Sequence, residues 1–405
     1  MKQAIYFITF GIYFMVTLSC FAQEPTRWRG PQSNGIYNET GLLKTWPAEG
    51  PQIIWSFKEL GQGHSSPAAS GDFIYSTGMT NGTGYVFKLK LTGDLVYKTQ
   101  YGPEYTESFY GPRGTPVISG NKIYLLSGFG ILYCLNEVDG SLVWKQDLVN
   151  KYGGDTITWG YAETPVVDGN KIYCTPGGEK NSVIALNRNN GSLVWSCQGK
   201  KELSAYCSPL LFVHNGRKIL ATHTASYLLG IDAQTGKLLW SQPHPNQYSV
   251  HANTPVYHDG GLFYFSGYGQ GSGKIILNED GSKITLGWEN KSMDSRIGGA
   301  VLVNGYLYGS GDQSREWKCI NWATGENTYD TLGLAKGAVI YADGMLYCYS
   351  EKGELAMVKA DPSKFEICGK TQVTLGSEQH WAHPVIYRGV LYLRHGNALI
   401  AYKIK

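Results

Sequence analysis

The chain has 405 residues, a net charge of +3, 17% charged residues and 42% hydrophobic ones. That balance excludes a strongly basic nucleic-acid surface and excludes a disordered chain, which has few apolar and many charged residues. Its 52 glycines and 29 tyrosines point to many turns between aromatic-rich strands, an all-β protein.

In chain order, the first predicted element is an export signal over residues 1–22. Lys2 precedes an apolar stretch from Ala4 to Leu18, and Ala22 offers a small residue at the cleavage position. Cys20 raises lipid modification as a second option, but Thr17 stands where such signals resemble one another in carrying Leu, so plain cleavage is preferred. The protein is expected to be exported, periplasmic or secreted, with no membrane span in the mature chain. Seven cysteines follow, none in a C-x-x-C pattern, which gives zinc no support; one disulfide among Cys197, Cys207, Cys319 and Cys368 stays open.

Residues 23–51 read as an irregular arm rich in Gly, Pro and polar residues, expected to pack on the surface. From residue 52 to 405 the chain repeats itself. Each unit holds four short apolar runs separated by turn residues: a Ser/Thr-Pro run, a Lys-Ile-Tyr run, an Ala-Leu-Asn run and a Gly-x-Leu-Val-Trp run. The first-run landmarks are Pro67, Pro116, Pro165, Pro209, Pro255, Ala300, Ala338 and Pro384, spaced 38–49 residues apart. Four strands per unit at this period predict an eight-bladed β-propeller of antiparallel blades. The last unit has three strands, and Gln52–Phe57, with Trp55, has nothing before it to pair with. The N-terminal strand is therefore expected to complete the last blade and close the ring.

In a propeller the first strand of each blade lines the central axis, so the residues just before each landmark converge on one channel mouth. Read in blade order these include His64, Arg113, Tyr161, Glu163, Tyr206, His251, Asn253, Arg296, Lys336, His380, Trp381 and His383, with Trp159 behind Tyr161. Cations and aromatic faces outnumber the one carboxylate, which suits a small anionic or sugar-like ligand. No metal site is expected there: His380 and His383 lack a third clear ligand. Asp155, Asp294 and Asp312 read as solvated loop residues. No nucleophile, zinc-protease or phosphate-loop motif occurs.

The segments ALNRNNGSLVW, GIDAQTGKLLW and CLNEVDGSLVWK resemble the A-x-D-x-x-T-G-x-x-x-W repeat of the PQQ-like (pyrroloquinoline quinone) β-propeller family. The resemblance covers nearly the whole mature chain and implies the propeller fold. It also implies the first two of three function classes. One is a monomeric ligand- or protein-binding propeller, such as an outer-membrane assembly scaffold with outer-membrane protein partners. The second is a quinoprotein alcohol dehydrogenase holding PQQ with calcium. The third, a polysaccharide-acting lyase, is read from the Tyr, His and Arg residues of the mouth, a set able to abstract a proton beside a carboxylate. The first is preferred, because the vicinal Cys-Cys pair common among the dehydrogenases is missing and their calcium-binding residues find no matching motif.

Overall fold

The structure, a computed structural model, describes residues 24–405, so the export signal and Cys20 lie outside the described residues. Eight antiparallel sheets of four consecutive runs form the blades. Blade 1 spans residues 68–103, blade 2 117–147, blade 3 166–197, blade 4 210–243, blade 5 256–290, blade 6 300–331 and blade 7 337–372. Blade 8 takes Val385–Tyr387, Val390–His395 and Ala398–Lys403 from the C-terminus and Ile53–Phe57 from the N-terminus. Trp55 lies opposite Ala401 and Phe57 opposite Leu399, antiparallel, so the expected closure is present.

Turn chemistry sets each hairpin. In blades 4–8 the first two strands are joined by two consecutive left-handed residues: Asn215-Gly216, Asp259-Gly260, Asn304-Gly305, Asp343-Gly344 and Arg388-Gly389. This is the type I′ pattern, whose twist matches that of the flanking strands. The two middle strands of a blade are buried on both faces, as in Leu346–Tyr349, whereas outer strands such as Leu193–Cys197 alternate between exposed and buried. The core consequently lies between blades. Eight apolar clusters form among the described residues, one at each junction, including Leu60, Ile74, Phe87 and Leu89 against Tyr392, Leu399 and Ala401 where blade 8 meets blade 1.

The arm does more than cover the surface. Thr26 N donates to Ile118 O of blade 2 at 2.9 Å. Three residues on, the Arg29 guanidinium donates to Ala300 O of blade 6 at 2.7 Å and to Val339 O of blade 7 at 3.1 Å. Blades 2 and 6 face each other across an eight-membered ring, so the arm crosses the axis. Ile36–Tyr37 then adds a parallel fifth strand to the inner edge of blade 7. All seven cysteines in the described residues are free, which removes the disulfide left open by the sequence.

Candidate functional site: the channel mouth

The loops entering the inner strands enclose a cavity of ≈ 290 Å³ on the axis. Seven of the thirteen residues read from the sequence line it: His64, Arg113, Trp159, Tyr206, Arg296, Trp381 and His383. Trp28, Phe109 and Tyr268 line it as well. Trp28 comes from the arm, Phe109 from the loop between blades 1 and 2, and Tyr268 from the turn at 267–270 between the two middle strands of blade 5.

The other six are turned into the protein. Tyr161 Oη donates to Pro176 O at 2.6 Å. Glu163 is buried, and both its oxygens face Thr175 N at 3.0 and 3.2 Å. Burial raises the Glu163 pKa to about 8, so it is protonated near neutral pH and adds little negative charge. His251 meets Ala225 O at 3.0 Å. Asn253 donates to Ser295 O at 2.6 Å and accepts from Gly299 N at 3.0 Å, pinning blade 5 to blade 6. Lys336 is ion-paired with Asp312, and His380 contacts the Tyr349 hydroxyl. Asp294 and Asp312 are not solvated as expected. Asp294 is buried, accepting backbone N–H groups from Gly269, Asp312 and Gln313, and Asp312 carries the Lys336 pair.

Charge at the mouth is set by its arginines. Arg296 is neutralised by Glu351 at 3.1 Å. Arg113 makes no ion pair among the described residues. It donates to Ser108 O at 2.6 Å and Gly111 O at 3.0 Å and lies over the Tyr105 ring at 4.5 Å. Its own loop thus fixes a guanidinium with donors to spare. Behind the lining residue His383, Arg29 is also without a carboxylate among the described residues, bonded to two carbonyls and to His383 Nδ1 at 2.8 Å. Burial lowers the Arg29 pKa to about 10, which leaves it charged at neutral pH. His383 Nε2 faces Ile297 O at 2.8 Å and must donate to it, so Nδ1 accepts from Arg29. Burial and the adjacent Arg29 depress the His383 pKa to about 3, in keeping with this neutral tautomer.

The walls are aromatic. Trp381 packs on Phe109 at 4.7 Å and on His64 at 5.0 Å, and Trp159 packs on Tyr206 at 6.0 Å. Phe109, Tyr206 and Tyr268 have φ of 44°, 70° and 63°. Bulky residues avoid this left-handed region at a cost of roughly 1–2 kcal/mol each, and such strain concentrates at functional sites.

Calcium takes six to eight oxygen ligands, chiefly carboxylates. No Asp or Glu lines the cavity, and no group of three or more His, Cys, Asp or Glu among the described residues is placed to hold a metal ion. The side chains here therefore do not fit a calcium-held quinone.

The family model described as outer membrane protein assembly factor BamB matches residues 90–331. Outer membrane protein assembly factor BamB of Yersinia pestis is 23% identical over 345 residues, covering 79% of this chain and 80% of that protein. Tetrathionate hydrolase of Acidithiobacillus ferrooxidans is 24% identical over 226 residues, 53% of this chain; the match spans only 44% of the hydrolase. Among solved structures, BamB from Moraxella catarrhalis has a TM-score of 0.63 at 14% identity, covering 87% of this chain and 98% of that one. Quinohemoprotein alcohol dehydrogenase from Comamonas testosteroni has a TM-score of 0.68 at 11% identity, covering 92% of this chain and 79% of that one. At these identities the structural likenesses establish the fold.

Proposed function

The chain belongs to the PQQ-like repeat family described as outer membrane protein assembly factor BamB, and on that footing we propose that it is an exported, non-catalytic binding propeller. Its working surface is the channel mouth, and its ligand there carries negative charge, either as a small molecule or as an acidic group of a partner protein. One observation carries the reading: Arg113, unpaired with a carboxylate, lines an aromatic-walled cavity that has no acidic lining residue. Catalysis finds less support. A general base needs a group free to take a proton near neutral pH: Tyr161, Glu163, His251 and His383 spend hydrogen-bonding atoms on backbone partners, and burial holds the unpartnered His64 down at about 3.

Titration of the purified protein with glucuronate and with PQQ plus calcium, followed by tryptophan fluorescence, tests this proposal. A dye-linked alcohol oxidation assay on the same sample accompanies it. The expected result is anion binding that weakens as salt rises, with no turnover. Stoichiometric PQQ binding that requires calcium and supports alcohol oxidation overturns the proposal in favour of a quinoprotein dehydrogenase.

A further inference from the structure

Resting on the anion-binding reading of the mouth, we infer that its ligand is an amphipathic monocarboxylate: one carboxylate on a flat or branched apolar body, and not a sugar acid. Ser66 Oγ accepts from His383 N at 2.9 Å. Thr164 Oγ1 accepts from Thr115 N at 2.9 Å, and Ser208 Oγ accepts from Thr164 N at 2.9 Å. Both His383 ring nitrogens are engaged. Each of these hydroxyls has accepted at least once and keeps an O–H, but the strongest donors left over lie on one side, where blades 1 and 2 enter the axis. Arg113 keeps guanidinium N–H groups beyond its two carbonyl bonds. His64 lines the cavity with its side chain 3% exposed, and neither ring nitrogen has a hydrogen-bond partner; the Glu378 carboxylate is 3.7 Å from Nε2.

A buried, unpartnered imidazole beside an unpaired guanidinium is a donor pair for a single carboxylate. The rest of the wall offers ring faces from Trp381, Phe109, Trp159 and Tyr206. A sugar acid would bring a hydroxyl on nearly every carbon, and each one buried without a partner costs about 1–3 kcal/mol. An apolar or aromatic body meets no such cost and gains contact with the rings.

Calorimetric titration of the full chain with phenylacetate, glucuronate and phenylethanol separates the contributions. Phenylacetate is expected to bind at least roughly tenfold more tightly than glucuronate, which has the charge without the ring. It should exceed phenylethanol, which has the ring without the charge, by a similar factor. Arg113→Ala should bring phenylacetate down to the level of the alcohol while the melting temperature holds. If that variant fails to fold, Arg113→Lys keeps the charge, loses the planar fork, and should still weaken phenylacetate. Glucuronate binding as tightly as phenylacetate, with loss on Arg113→Ala, overturns the apolar-body inference and leaves the anion reading standing. Phenylethanol equal to phenylacetate overturns the carboxylate inference. If neither acid binds at millimolar concentration, both readings fall.

Discussion

His64, His223, His244, His251 and His383 are all buried, and burial holds each below the ordinary histidine value of 6.5. His223, His244 and His251 pack as one cluster with ring centroids 4.9–5.8 Å apart, and no carboxylate contacts the rings among the described residues. A depressed folded pKa means that the unfolded chain takes up protons first as pH falls. Stability is therefore full above about pH 6.5 and is lost below it, toward folded values of about 3 to 4. Each such group contributes up to about 1.4 kcal/mol per pH unit in that window. Urea midpoints are expected to drop steeply between about pH 6.5 and pH 4.5; a flat profile would mean that these rings are not buried and neutral. Phe109 makes the complementary case. It is 40% exposed with φ 44°, where Asn is more at ease. Phe109→Asn should leave the melting temperature unchanged or raised while weakening ligand binding, the signature of strain retained for function. A loss of both together would make Phe109 a packing residue.

At the scale of the element, the repeat motif is a docking device. The closing ring of one blade lies under the turn glycine of the next. A Cβ on Gly93 would come within 2.7 Å of Trp55, one on Gly236 within 2.7 Å of Trp195, and one on Gly325 within 2.5 Å of Trp288. The indole N–H then donates to the neighbouring blade, as Trp195 does to Ala233 O at 3.1 Å. A register shift occurs just before this position in every fourth strand, and in seven of the eight blades the position carries a Trp or Tyr ring; in blade 7 it is Gly369. Gly236 has φ 79° and Gly216 has φ 85°, but Gly216 has nothing within 4 Å of its Cβ position. Gly216→Ala should cost about 1 kcal/mol from backbone strain alone, and Gly236→Ala roughly 1–3 kcal/mol more from the clash with Trp195. Equal losses by chemical denaturation would refute the docking role.

For the whole molecule, residues 24–57 do two jobs far apart in space. Ile53–Phe57 supplies the fourth strand of blade 8, while Trp28 lines the mouth and Arg29 holds the lining residue His383. Deleting 24–57 exposes the Ala398–Lys403 edge and opens the junction with blade 1, so the melting temperature should fall sharply. Deleting only 24–31 keeps the closing strand and should cost less stability, yet remove ligand binding. Unchanged melting of the longer deletion would contradict closure by this strand.

The sequence by itself determined the blade count, the strand order within each blade and the ring closure. Those follow from local signals, the Gly-containing turns and the Leu-Val-Trp runs, repeated from blade to blade. It also identified the side of the ring where the mouth lies, because position before a first strand is a topological fact. Which side chains face the cavity was decided only by the tertiary structure. Glu163 and Asn253 precede landmarks as Arg113 and Arg296 do, but find backbone partners in their own or adjacent blades and turn away. Trp28 and Arg29 reach the axis because the arm spans opposite blades, a contact between residues some 270 positions apart that no local pattern encodes. A buried polar group goes where its hydrogen bonds can be met, and that is settled by neighbours distant in the chain.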